Sequence, residues 1–363
     1  MQHEAGQPKA VQGGAGMVGI VLAAGKGTRM TSALPKVLHA IAGRPMLHHV
    51  LASCAQAGAE RIVTVVGAGG EQVAASARAF SPACAIAVQE PQLGTGHAVL
   101  AARASCPEAM DDALILYGDT PLIRMQTLAD MCAVRRAGAA IVVLGFRPDD
   151  PGAYGRLILD GTGALEAIVE AREATPEQLA LPLCNSGVLA VDGRVLFPLL
   201  DEIDNDNAKG EYYLTDIVAK ARSRGLACAV VEAEEAEVLG VNARGELARA
   251  EAAYQARRRD EAMAAGVTLR DPSTVAFSWD TVLGRDVTIA PHVVFGPGAV
   301  VEDGVEIGPF NHIEGVTLPA GSRVPAFSGC GGGRGPVAPA TADAGTRGSV
   351  PLGQSSDGGG SVP

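Results

Sequence analysis

Gly25, Gly27, Arg29 and Lys36 stand close together in the string Leu22-Ala23-Ala24-Gly25-Lys26-Gly27-Thr28-Arg29-Met30, which Pro35-Lys36 follows. The string leaves a short apolar run, Val18 to Leu22, that reads as a buried strand. A glycine-rich turn at a strand end presents backbone N–H groups that no helix or sheet has claimed, and such groups bind phosphate oxygens. Arg29 and Lys36 would add two cations beside that anion seat. Further on, Tyr117-Gly118-Asp119 closes another apolar run. A carboxylate at a strand end, beside a phosphate loop, suits a hard divalent cation that prefers oxygen ligands. An Asx-turn or helix N-cap ahead of Thr120-Pro121 is the plainer alternative. Gln89 opens the string Gln89-Glu90-Pro91-Gln92-Leu93-Gly94-Thr95-Gly96-His97. Its amide can meet both the donor and the acceptor groups of a nucleobase edge; taken alone, the string is a loop running into a helix capped by Thr95. His97, a lone histidine at a helix start, reads as a structural partner.

The glycine spacing fits neither the P-loop nor the dinucleotide fingerprint, which excludes an NAD-dependent oxidoreductase. It is similar to the signature of sugar-1-phosphate nucleotidylyltransferases. Continued into Pro35-Lys36-Val37-Leu38-His39, it resembles most the N-acetylglucosamine-1-phosphate uridylyltransferases, usually the N-terminal half of a bifunctional enzyme. The resemblance spans about residues 17–320. It implies uridylyl transfer from UTP to N-acetylglucosamine-1-phosphate, giving pyrophosphate and UDP-N-acetylglucosamine, a cell-envelope precursor. It makes Arg29 and Lys36 the catalytic cations. Leu22, Ala23, Ala24, Gly25, Tyr117 and Gly118 line the nucleotide, and Gln89, Gly94 and Thr95 read the base. Mg²⁺ falls to Asp119 and to Asn242 of Gly240-Val241-Asn242, where Leu239 stands in place of the usual glutamate. On the sugar side, the Gly155 N–H meets the N-acetyl oxygen, and Glu170 and Asn185 hold hydroxyls. Asn185-Ser186-Gly187 departs mildly from an Asn-Thr-Gly pattern. Lys209 to Asp216 also matches, but Tyr212 and Tyr213 read equally well as packing residues and stay outside the site.

These residues need a frame. From Val18 to about Glu232, short apolar strands alternate with helical stretches. Strands are expected at Arg61–Val66, Ala85–Gln89, Ala113–Tyr117, Ala140–Gly145, Arg156–Leu159, Leu165–Val169, Ser186–Val191 and Cys228–Val231. Helices are expected at Pro45–Ala57, Gly96–Ala104, Gln126–Arg136 and Tyr213–Ser223. The alternation predicts an α/β, Rossmann-like domain over residues 17–242, with a mostly parallel mixed sheet covered by helices on both faces. Ligands of such sheets bind beyond the carboxyl ends of the strands. Residues 243–265, rich in Ala, Glu and Arg, predict one linker helix roughly 33 Å long. Phe277, Leu283, Ile289, Phe295, Val301, Ile307 and Ile313 then recur at six-residue steps. That period is the mark of a parallel β-helix with three hexads per coil. The resemblance makes it the short left-handed kind, over residues 266–324. The rhythm slips at Leu318 and stops after Val324. The family's acetyl-CoA site and catalytic histidine lie on later coils, and His292 and His312 do not match them. Acetyl transfer is therefore expected to be absent. A homotrimer through the β-helix is implied by the resemblance, with only two to three coils here to build it.

Composition sets the outer bounds. The chain has 363 residues, 47% of them apolar and 4% aromatic, so Ala, Val, Leu and Gly build the interior. A net charge of −11 argues against a nucleic-acid partner, which a basic face would serve. Seven unpatterned cysteines predict reduced thiols and a cytoplasmic protein. No secretory signal or membrane-crossing run is present in the sequence. Residues 1–16 and 325–363, rich in Gly, Pro, Ser and Ala, are expected to be disordered. Met17 offers a second start. A frameshift and a genuine linker tail both account for the change after Val324. Two rival functions stand beside the main one: a nucleotidylyltransferase with another base or sugar, and a catalytically dead regulatory homologue. The Gln89 string and Lys209–Asp216 argue against the first, and intact Arg29, Lys36, Asp119 and Asn242 against the second.

Overall fold

The computed structural model describes residues 16–329. The elements of the first part run β1 (Met17–Leu22), α1 (Met46–Gln56), β2 (Arg61–Gly67), α2 (Glu71–Phe80), β3 (Ala85–Gln89), α3 (Thr95–Ala101), β4 (Asp112–Tyr117), α4 (Met125–Arg136) and β5 (Ile141–Phe146). The hairpin β6 (Arg156–Leu159) and β7 (Leu165–Val169) follows, then α5 (Pro176–Leu179), β8 (Cys184–Asp192), α6 (Gly193–Leu200), α7 (Asp216–Ser223) and β9 (Cys228–Ala233). The strands form one nine-stranded mixed sheet in the order β9-β5-β8-β4-β1-β2-β3, with the β6–β7 hairpin attached to β8. β1 lies parallel to both β2 and β4, while β8 runs antiparallel between β4 and β5.

Alternation along β1 explains the two layers. Val18, Ile20 and Leu22 face a core completed by α3, α6 and α7, whereas Met17 and Val21 face one completed by α1, α2 and α4. Fully burying a side chain of this size stabilises by about 1.5–3 kcal/mol. The order β4-β1-β2 puts the ends of β1 and β4 side by side, so Leu22 pairs with Tyr117. The glycine-rich turn and Gly118-Asp119 therefore leave the sheet at one rim.

Helix α8 (Arg244–Ala264) leads into the six-residue repeats. There the short parallel strands stack in columns: Leu269, Ile289, Ile307 and Val324 in one, Leu283, Val301 and Leu318 in a second, Phe295 and Ile313 in a third. This is the expected β-helix. The slip at Leu318 is one missing residue. Successive rungs sit 18 apart from Leu283 to Val301 but 17 apart from Val301 to Leu318, and Leu318 is still fully buried. The corner after Ile313 absorbs the deletion.

Three differences from the expected elements have physical causes. The first is that α7 begins at Asp216 rather than Tyr213, because the Tyr212 carbonyl, which would accept from the Asp216 N–H in the longer helix, is taken by the Gly96 N–H. α2 and α6 were not expected. α2 has mixed Ala, Arg and Ser positions, and α6 carries Pro198 inside it. The third difference is at residues 325–329, expected to be disordered. They are tied down: Asn311 Oδ1 accepts from the N–H groups of Ser328 (2.8 Å) and Gly329 (3.0 Å), and Phe327 stacks on Phe310. The expectations for residues 1–15 and 330–363 lie outside the described residues.

Candidate active site

At the rim after β1, the N–H groups of Ala24, Gly25 and Lys26 donate to no acceptor among the described residues. This is the unclaimed backbone that phosphate oxygens seek. Gly27 has φ +60°, and a Cβ there would lie 2.6 Å from the Lys36 Cβ. Glycine at this point lets the loop fold back so that Lys36 reaches the sheet. The Lys36 Nζ donates to Asp119 Oδ2 and, at 2.9 Å, to Asn242 Oδ1. Asn242 is brought there by its neighbour, since the Val241 N–H donates to the Asp119 carbonyl at 2.9 Å. Glu246 at the start of α8 accepts from the Asn242 N–H (2.5 Å) and fixes its backbone. Lys36 is braced from behind. The turn of the next hairpin, at Ala42, donates to Glu251 (2.7 Å) and accepts from the Trp279 N–H (2.9 Å). Arg44 lies over the Trp279 ring at 4.3 Å. Helix α8 and the first β-helix coil thus hold the segment carrying Lys36.

Leu22, Ala23, Ala24, Gly25, Lys36, Gln89, Gly94, Thr95, Tyr117 and Asp119 line one cavity of about 400 Å³, together with Gln92 and Glu211. Arg29 is exposed in the 3-10 turn Thr28–Met30 and does not line this cavity. The Gly118 N–H is spent on the Leu22 carbonyl (2.9 Å). Gln89 is 4% exposed, and its Nε2 donates to the Gly94 carbonyl (2.8 Å) and contacts His97 Nδ1 (3.3 Å). With its donors engaged, the amide oxygen is the group left to accept from a ligand. His97 is therefore the structural partner expected of it. Burial raises the Tyr117 hydroxyl pKa well above the ordinary range, and Asp119 adds to the rise.

Two contributors escaped the sequence reading. Tyr212 braces the base loop through its backbone: its N–H donates to the Leu93 carbonyl (2.8 Å) and its carbonyl accepts from the Gly96 N–H (2.8 Å). The contact is so close that a Cβ on Gly94 would lie 2.6 Å from the Tyr212 oxygen. Leu214 donates to Thr95 Oγ1 at 3.1 Å. The second contributor is Gln92, whose Nε2 donates to the Ala24 carbonyl at 2.5 Å. The family match of Lys209–Asp216 was the available signal for the first; nothing in the sequence signalled the second.

The expected sugar residues gather beside this cavity without lining it. Asn185 lies on an irregularity of β8, between Asn185 and Leu189, where its Oδ1 accepts from the Gly187 N–H (2.9 Å). Its own N–H donates to the Gly155 carbonyl (2.8 Å), joining two of the three expected sugar ligands. The Ser186 hydroxyl donates to the Leu144 carbonyl (2.7 Å), a bond a threonine would make equally. Glu170 accepts from Thr215 Oγ1 (3.4 Å), and burial raises its pKa against the pull of Lys209. Asp216 is raised further, to about 6, chiefly by burial and then by Glu173, Asp204 and Glu170, with Lys220 opposing. The ordinary value is 3.8, so the folded chain binds the extra proton between these limits. The contribution of Asp216 to stability therefore falls as pH rises from about 4 to about 6, and the deficit persists above. Asp216→Asn is expected to raise Tm at pH 7.5 and to leave it unchanged near pH 4; melting curves at both values check this.

Asp119 and Asn242 supply two oxygens that already share one cation, the Lys36 ammonium. The pair therefore fits a divalent ion that takes its remaining ligands from substrate phosphates and water. Among the described residues no group of three or more His, Cys, Asp or Glu could hold a metal alone. None of their helices is long and apolar enough to cross a membrane.

Known proteins resemble both parts of the chain. Residues 19–206 match the MobA-like NTP transferase domain, and residues 280–330 match the bacterial transferase hexapeptide (six repeats). A bifunctional protein GlmU of Paramagnetospirillum magneticum is 56% identical over 85% of this chain and 68% of its own length. That of Azorhizobium caulinodans is 54% identical over 84% and 68%. A crystal structure of UDP-glucose pyrophosphorylase with UDP-glucose superposes with a TM-score of 0.51 and 19% identity. It covers 66% of this chain and 99% of that one, and shows that the fold is shared. The chain belongs to the family of bifunctional GlmU proteins, and it is a nucleotidyltransferase.

Proposed function

We propose that the chain transfers a uridylyl group from UTP to N-acetylglucosamine-1-phosphate, releasing pyrophosphate. The observation that carries this reading is the single cavity shared by the phosphate loop, the Gln89–Thr95 loop and Lys36–Asp119. Nucleotidyl transfer needs no covalent nucleophile. A sugar phosphate oxygen attacks the α-phosphorus, and the protein must place two anions in line while neutralising their charge. The free N–H groups of Ala24, Gly25 and Lys26 hold phosphate, and Lys36 supplies a cation. Gln89 Oε1 and the Gly94 backbone meet the base. Gly155, Glu170 and Asn185 hold the N-acetyl sugar. Arg29, at the edge of the loop, neutralises the departing pyrophosphate. Asp119 and Asn242 hold Mg²⁺, which supplies charge neutralisation to the phosphates when bound.

Pyrophosphate release with each of the four nucleoside triphosphates and N-acetylglucosamine-1-phosphate tests the reading. UTP is expected to turn over fastest. Equal rates with all four, or a preference for glucose-1-phosphate, would sink it. The same preparation, given acetyl-CoA and glucosamine-1-phosphate, is expected to release no CoA above a no-enzyme control. The stacked columns of the described residues carry only the early coils.

A further inference from the structure

The base-reading loop and the phosphate loop come from different parts of the chain, and one side chain ties them. Gln92 is 68 residues from Ala24, yet its Nε2 donates to the Ala24 carbonyl at 2.5 Å. Gln92 also lines two cavities: the one of about 400 Å³ already described, and one of about 260 Å³ behind the phosphate loop, lined by Lys26, Pro35, Gly67 and Gly69 among others. It thus stands in the wall between them. The end of β2 is shaped to admit it. A Cβ on Gly67 would lie 2.2 Å from Gln92 Nε2 and 2.9 Å from the Ala24 oxygen. Only a residue without a side chain leaves room for this contact. On its other side the same loop is already fixed by Tyr212, through Leu93 and Gly96.

We propose that Gln92 is a positioning residue, a strut that holds the base-reading loop and the phosphate loop at the separation one nucleotide spans. This rests on the nucleotide reading of the cavity. The strut acts through Ala24, the first residue with a free N–H for phosphate, and through Gln89, three residues before it. Without it, the base end and the phosphate end of the nucleotide are no longer presented together, and the ordering has to be made at the moment of binding. Acceptor sugar contacts, which come from β6, β7 and β8, are not part of the connection.

Gln92→Ala and Gln92→Glu test it. Glutamate keeps the length and loses the N–H donor. Both are expected to raise KM for UTP by about three- to tenfold, the range of one lost hydrogen bond. KM for N-acetylglucosamine-1-phosphate should stay within about twofold, and Tm should not move. Gly67→Ala, which fills the space of the amide, should raise KM for UTP similarly, and adding Gln92→Ala to it should raise it little further. UTP binding by the unmodified protein, measured by calorimetry, separates the two ideas. No binding overturns the nucleotide reading itself. Binding together with an unchanged KM for UTP in both Gln92 variants, or equal changes in both substrates' KM, overturns the strut.

Discussion

Asp119→Ala is expected to reduce turnover by at least about 100- to 1,000-fold, and Asn242→Ala to do nearly the same, with the fold intact. Removing one preorganised stabiliser of transition-state charge costs on the order of 3–4 kcal/mol, and Asp119 is the cavity-lining carboxylate that pairs with Lys36. Each variant also leaves the Lys36 ammonium with one oxygen partner instead of two. Steady-state pyrophosphate release across a Mg²⁺ titration checks this. Asp119→Ala with most of its activity and an unchanged Mg²⁺ dependence would show that the metal is held elsewhere. Circular dichroism must accompany the assay, because the Asp119 backbone, which the substitution keeps, also anchors Val241.

The second large effect belongs to Lys36. Lys36→Met keeps the aliphatic stem that packs against Gly27 and removes only the charge. Two consequences are expected together. The cavity loses its cation, so turnover should fall by at least about 100-fold on the same scale of transition-state stabilisation. Asp119 is then left as a largely buried carboxylate, 17% exposed, without its ion-pair partner. Such a group is costly unless it protonates or finds another cation. Lys36→Met should therefore lower Tm in the absence of metal, and added Mg²⁺ should recover more Tm than it does in the unmodified protein. Thermal melts with and without Mg²⁺ measure the difference, and equal Mg²⁺ responses in the two proteins would remove Asp119 from the metal site.

What the sequence disclosed follows from where its information is local. The runs at β3, β6 and β7 were read to the residue, because short stretches rich in Ile, Val, Leu and Ala stand there between polar and glycine-containing turns. The hexad period survived its one-residue slip, because each rung needs only one inward apolar side chain per face. Lys36, Asp119 and Asn242 were singled out by type and motif, but their meeting was not readable: they are joined across 83 and 206 residues. The start of α7 was misplaced for a similar reason. The Tyr212 carbonyl would accept from Asp216 in a helix starting at Tyr213, and the distant Gly96 N–H takes it instead. Gln92 lay inside a quoted string and gave no sign, since a glutamine in a loop is ordinarily a solvated side chain.

The reversed strand β8 has a consequence for how such a site can change. On the proposed reading, phosphate and base are held where β1, β3 and β4 end. Asn185 stands where β8 begins, opposite Gly145 at the end of β5, and Gly155 and Glu170 flank the hairpin attached to it. On that reading the acceptor's residues come from the ends of the hairpin and the start of β8, and the donor's from the ends of β1, β3 and β4. A substitution or a slipped residue in the hairpin or in the first turn of β8 can reshape the acceptor's seat while the donor's loops keep their own anchors. On the proposed reading, the acceptor sugar is the exchangeable fitting and the nucleotide the fixture.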